Sequence, residues 1–268
     1  MHYFTLATGS ARRSSSVSIL VNWQQYLGPF TVIVLIAVGV WEMRQPLSVF
    51  QLSVVRRWVL HFGLWVGISL FVNFVLRISA IGLAASLGGQ TGFVPFFLVQ
   101  DFALWCSHWG MHRFGLLWVW HSTHHSDADM DASTGLRFHP IEGIWDQSVL
   151  LGLVWLLHPN VDAVIACQFL SIASNYLVHA NVALPARVES VLQLVLMTPG
   201  LHRPHHSVEV AGQKGNYGIV LSVWDRLFGT LHRRSFDSAL GIAGVPVEET
   251  TKPLYLLAKL PWREWKSL

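Results

Sequence analysis

The sequence predicts an all-α integral membrane protein: a helical bundle of about four spanning helices plus interfacial or re-entrant helices, with a histidine-rich di-metal domain on its cytoplasmic face. Three observations predict it. The 268 residues are 52% hydrophobic and only 12% charged, with 13 tryptophans and a mean hydropathy of +0.44, whereas soluble domains average about 25% charged residues. The apolar residues gather into segments approaching the roughly 20 residues that a bilayer core requires. Eight of the fourteen histidines fall into three tight groups, His108-x-x-x-His112, His121-x-x-His124-His125 and His202-x-x-His205-His206. The net charge of +3, carried mainly by arginine, is too small to suggest nucleic acid. It fits loops facing an anionic leaflet.

An N-terminal arm, 1–26, holds Arg12, Arg13 and a Ser-rich patch, and no cleaved signal peptide is expected there. Membrane helices follow over 27–106. The first apolar segment, 27–41, leads to a connector with Arg44, Pro46, Arg56 and Arg57. Segment 58–76 is the best spanning candidate; 78–87 continues apolar after Arg77 until Gly88-Gly89 breaks it, and 93–106 runs into the first histidine group. Residues 107–143 carry the first two histidine motifs, on a stretch that is polar over 122–142. Residues 144–180 form a membrane hairpin of 144–157 and 161–178, joined by His158-Pro159-Asn160, a composition suited to a tight turn. The third motif and a cytosolic cap occupy 181–235, and 236–268 ends in an amphipathic tail. Cys106 and Cys167 lie in apolar stretches and read as buried thiols.

Parity sets the topology. If 58–76 crosses outward and 93–106 crosses back, the first two histidine groups share a side with the arginine-rich connector. The hairpin then goes out and returns, so the third group emerges on the same side. That side carries most of the arginines, as a cytoplasmic face should. Segments 27–41 and 144–157 are short for full spans.

Imidazole is the commonest protein ligand for transition metals. Spacings of three and four place histidines on one helix face, whereas adjacent histidines diverge by about 100° and can serve different metals. Eight ligands exceed the four that close a zinc site, so the count points to two ions. Asp101, two turns before His108, reads as an acceptor for the second ring N–H of a ligand or, alternatively, as an intramembrane acid satisfied by a neighbouring helix. His139 and His179 fall on the same side, where either completes a coordination shell or serves as a hydrogen-bonded structural histidine. His2, His61, His158 and His232 lie apart and read as structural. The chain has no HExxH, no ExxH pair, no GxGxxG, no P-loop and no haem-attachment motif. Two other readings use the same histidines: a membrane zinc hydrolase with Glu142 as general base, and a non-enzymatic metal carrier or sensor.

The order HxxxH, HxxHH, HxxHH in a membrane protein resembles the fatty acid hydroxylase superfamily, and within it bacterial proteins of the sterol desaturase family. The stretches LRFHPxE, TPxxHRxHHS and NYGxxLSxWDRLFGT strengthen the resemblance, which runs from about Trp41 to Thr230. It implies a non-haem di-iron centre using O2 and two external electrons to hydroxylate or desaturate a lipid. By motif, His108, His112, His121, His124, His125, His202, His205 and His206 would ligate two iron ions, with His139 and His179 ligating or supporting them. Asn216 and Tyr217 would help shape the site, and Trp224-Asp225-Arg226 reads equally as a structural turn with a local ion pair or as part of the catalytic apparatus. The partners implied are a lipid substrate, the membrane and a separate electron donor of cytochrome b5, ferredoxin or flavoprotein type. The location implied is a bacterial inner membrane with the metals on the cytoplasmic face.

Overall fold

A computed structural model describes residues 11–233 and 239–267, with side chains from residue 27 onward. Among the described residues the chain is helical, with only isolated bridges and no strand. His2 and part of the N-terminal arm lie outside the described residues. From Ala11 the arm is continuous with the first apolar segment as α1, Ala11–Arg44.

Helix α2, Val54–Leu76, starts at Ser53, whose hydroxyl accepts from the Arg56 N–H, and stops at Arg77 in the left-handed conformation (φ 54°). Helix α3, Ala80–Leu87, carries the apolar run on to Gly88 (φ 62°). Helix α4, Phe93–Arg113, then returns toward the histidines, and α5, Gly115–His125, follows after one residue. Helix α6, Pro140–Leu157, opens with proline at its first position, where the missing N–H is not needed. Helix α7, Val161–His179, is capped by Asn160, which accepts from the Ala163 N–H at 2.8 Å.

The two turns at the end distant from the histidines clasp each other. Thr91 donates its N–H to the His158 carbonyl (3.1 Å) and accepts from the Asn160 N–H (2.9 Å). A Cβ on Gly89 would collide with the His158 carbonyl at 1.9 Å, so this crossing requires glycine. Around it packs an apolar core of Ala84, Phe96, Val154, Val164 and Cys167. Helices α4 and α7 therefore arrive, and α6 departs, at one end of the bundle.

Among the described residues, three stretches are long and apolar enough to cross a membrane: Leu27–Arg44, Val54–Leu87 and Val161–His179. Helices α4 and α6, expected to cross, do not reach that threshold. Asp101 interrupts α4, and Glu142 and Asp146 interrupt α6.

One expectation for the polar segments is corrected. Residues 122–136, polar in composition, are buried throughout. Arg57, counted as a face-marking charge, is 1% exposed and pairs with Asp127 (2.8 Å) and Asp131 (2.6 Å). It also donates to the Asp129 carbonyl. The Asp129 carboxylate accepts the N–H groups of Gln51 and Leu52, and Glu42 accepts those of Ala132 and Asn181. The acidic run is thus the anchor that ties α1 and α2 to the histidine segment.

The tail is part of the same body. After α8 (Ala186–Leu192), α9 (Pro199–His202), α10 (Val210–Gln213) and α11 (Val223–Leu227), it winds through a π turn, Tyr255–Lys259, into α12, Leu260–Lys266. Leu256 and Leu260 are fully buried against Leu64 and Ile68. Glu264 accepts from Trp118 Nε1 at 2.9 Å, which fastens the tail to α5.

Candidate metal centre

Nine imidazoles converge at the end where α4, α5 and α7 meet the turn Arg203–His206. They form two groups: His108, His112, His121, His125 and His205 in one, and His124, His179, His202 and His206 in the other. Within each group the candidate ligand atoms lie within 4.8 Å of one another, and all nine side chains are buried except the half-buried His112.

Helix geometry produces this partition. Pairs four apart face the same way, so His108 with His112, His121 with His125, and His202 with His206 each enter one group. The histidine three along in each HxxHH motif crosses to the other: His124 leaves its motif for the second group, and His205 leaves its motif for the first. His179, at the last position of α7, completes the group of four.

Protonation is fixed by the partners of Nδ1. A carbonyl oxygen can only accept, so a ring nitrogen beside one carries the proton. His108 Nδ1 lies 2.8 Å from the Tyr217 carbonyl and His205 Nδ1 lies 2.7 Å from that of Gly215. His124 Nδ1 lies 3.2 Å from the Arg137 carbonyl and His179 Nδ1 lies 2.6 Å from that of Asn175. In these four residues Nε2 therefore bears a lone pair. Yet His205 Nε2 faces His108 Nε2 at 3.0 Å, and His179 Nε2 faces His124 Nε2 at 3.1 Å. Neither pair has a proton to share, so each is a repulsion that a cation between them would turn into attraction. Right-angled ligands at metal–nitrogen distances of about 2.1 Å stand about 3.0 Å apart, which matches.

The remaining chemistry agrees. His112 Nε2, His121 Nε2 and both nitrogens of His125 are buried without a hydrogen-bond partner, as are Nδ1 of His202 and of His206. Burial pushes the His121 imidazole down to about 3. Burial, reinforced by neighbouring imidazoles, holds His124, His125, His202, His205 and His206 well below the ordinary range. Neutral imidazole is the form that binds metal. The nine residues fit two transition-metal ions.

The singly occurring residues separate. His139 lies outside both groups: its Nδ1 accepts the Ile141 N–H (3.2 Å), which caps α6, and its Nε2 donates to the Leu257 carbonyl (3.3 Å). No ring nitrogen is left for a metal. Asp101 accepts no hydrogen bond from a described histidine; it accepts from the N–H groups of Val220 and Leu221 and from Trp224 Nε1. The expected contact from a carboxylate to a ligand ring belongs instead to Glu142, whose Oε1 lies 2.6 Å from His121 Nδ1. Nothing in the local sequence signals that pairing beyond an acid in the first turn after a histidine motif.

Asn216 works through the backbone. It sits at φ 60°, between Gly215 and Tyr217, whose carbonyls orient His205 and His108. Its side chain donates to the Leu201 and His232 carbonyls and accepts from the His232 N–H. Asp225 holds the same loop, taking the N–H groups of Tyr217 and Gly218, Trp105 Nε1 and the Thr230 hydroxyl. The local ion pair expected with Arg226 is absent, because that guanidinium donates to the carbonyls of Gln193 and Leu194.

A cavity of about 250 Å³ opens onto both groups, touching His108 and His121 of one and His124, His179 and His202 of the other. Its other walls, including Leu104, Met111, Phe138, Ile172 and Ile219, are mostly apolar.

Comparison with known proteins places this centre in a family. Ornithine lipid hydroxylase OlsE of Rhizobium tropici is 31% identical over 151 residues, 55% of this chain and 44% of that protein. Human alkylglycerol monooxygenase is 31% identical over 146 residues, 54% of this chain and 32% of that protein. The Caenorhabditis elegans alkylglycerol monooxygenase is 27% identical over 163 residues, 61% of this chain and 31% of that protein. The chain thus spans less than half the length of these relatives. No solved structure matches it at a significant level. The fatty acid hydroxylase family model matches residues 93–230, which include all nine converging histidines. The chain belongs to the fatty acid hydroxylase family.

Proposed function

We propose that this protein is a membrane-bound non-haem di-iron oxygenase that uses O2 and external electrons to hydroxylate or desaturate a lipid. The observation that carries the reading is the pair of imidazole groups, five and four, sharing one apolar cavity. A single-zinc hydrolase would occupy four of these ligands and leave five buried lone-pair donors converging on nothing. The names of the relatives, a lipid hydroxylase and a monooxygenase, support oxygen chemistry on a lipid.

Iron, when bound, supplies the redox change and the oxidant that an unactivated C–H bond demands. The chain's own residues do the rest. The carbonyls of Tyr217, Gly215, Arg137 and Asn175 fix four ligand tautomers, so four Nε2 lone pairs point inward before any metal arrives. Glu142 Oε1 accepts a hydrogen bond from His121 Nδ1–H and raises that ligand's basicity. Leu104, Phe138, Ile172 and Ile219 receive an apolar chain and keep bulk water from the reacting carbon. Reduction is left to a separate donor of cytochrome b5, ferredoxin or flavoprotein type. In the cell we place the protein in a bacterial inner membrane, with the metal end of the bundle facing the cytoplasm.

Lipid extracts from cells with and without this protein, grown under 18O2, test the assignment. A lipid that gains one labelled oxygen identifies hydroxylation, and a new double bond without label identifies desaturation. Indistinguishable extracts from cells shown to hold the metal-loaded protein would overturn it.

A further inference from the structure

A second cavity of about 280 Å³ continues from the metal pocket between α4, α6 and α7, sharing Leu104, Asp146, Ser171 and Ile172 with it. Helix register fixes how far it reaches. On α4, Gln100, Leu104 and His108 stand four apart on one stripe, and on α7 Ser171, Asn175 and His179 do the same. Eight residues separate Gln100 from His108 and Ser171 from His179, which is about 12 Å along each helix at 1.5 Å per residue. Helix α6 runs outward from the metals and brings Gln147 to the same wall, and Gln168 of α7 joins it. Between the metals and this level the wall is largely apolar, and beyond it lie Leu150 and Leu153. The result is a belt of three side-chain amides and a hydroxyl, with the Asp146 carboxyl on its metal side, crossing a slot whose remaining walls at this level are apolar.

Such groups inside a helical membrane bundle are disfavoured unless they have a use. Gln100 is only 3% exposed; its Nε2 donates to the Ser171 hydroxyl at 3.4 Å, while its Oε1 has no partner. A buried amide oxygen left unmet calls for a donor from outside the chain. A hydrocarbon has none, and ether and ester oxygens only accept.

We propose that this belt receives an amide or hydroxyl group of the substrate lipid, placing the reacting carbon about 12 Å, two helical turns, further along the chain. The preferred substrate is then a lipid whose chain is anchored through an amide or carries a hydroxyl, rather than a plain, ether-linked or ester-linked chain. The statement about the reacting carbon rests on the oxygenase reading above; the binding preference does not.

Binding to the full-length protein in nanodiscs separates the two. The probes are N-methylhexadecanamide, hexadecan-1-ol, methyl hexadecanoate and hexadecane. The amide and the alcohol are expected to bind about tenfold tighter than the ester and the alkane, the order of one net hydrogen bond. Gln100→Leu is expected to erase that preference while leaving alkane binding the same or tighter, and Gln168→Leu to reduce it. Equal binding of all four probes to the native protein, or a preference that survives both substitutions in folded protein, would overturn the proposal. Absence of lipid-dependent O2 uptake alongside a retained preference would instead sink the oxygenase reading alone.

Discussion

Whether a lone histidine becomes a ligand is decided by what its ring nitrogens already hold. His139 and His179 look alike in the sequence, each a single histidine at a helix boundary near the clustered motifs. His139 has both nitrogens engaged, by the Ile141 N–H and the Leu257 carbonyl. His179 spends only Nδ1, on Asn175, and turns Nε2 toward His124 and His202. His139→Asn is therefore expected to keep two metals per chain, since Asn can still cap α6. His179→Asn is expected to lose the metal of the four-membered group. Elemental analysis of both purified variants checks this, and equal losses would contradict the assignment. The difference was not legible in the sequence, because Leu257 lies 118 residues away. The eight clustered histidines were legible, because their spacing is a property of the helix itself.

At the scale of elements, the acidic run 127–131 shows how composition misleads. Asp127, Asp129 and Asp131 lie in a stretch that is polar by composition, yet all three are buried and converge on Arg57 of α2. An ion pair spanning some 70 residues leaves no trace in a local window. Arg57→Leu would strand two carboxylates in the interior, and breaking a buried pair in this way costs about 3–5 kcal/mol. Arg57→Lys is expected to recover little, because an ammonium cannot fork between two carboxylates. Unfolding midpoints in detergent check both. A loss below about 1 kcal/mol for the Leu variant would show that the pair does not anchor α2 to the histidine segment. The tail, 236–268, was likewise legible only as amphipathic. Its buried face, Leu256 and Leu260, covers α2 and the histidine helix instead of standing apart.

For the whole molecule, alternation of apolar and polar segments was enough to bring three distant motifs to one end of a helical bundle. The clasped turns at Thr91 and His158 mark the opposite end. What segment composition did not reveal is how the site is finished. The carbonyls of residues 137, 175, 215 and 217 set the tautomers; those of 215 and 217 belong to a loop held by Asn216 and Asp225, and none of the four lies in a histidine motif. The central claim is that this scaffold holds two redox-active ions over a lipid slot. Metal analysis of anaerobically purified protein, paired with lipid-dependent O2 uptake on the same sample, tests it most directly. Two irons per chain with oxygen consumed only when lipid and reductant are present is the expected result; one zinc per chain with no oxygen consumption would contradict it.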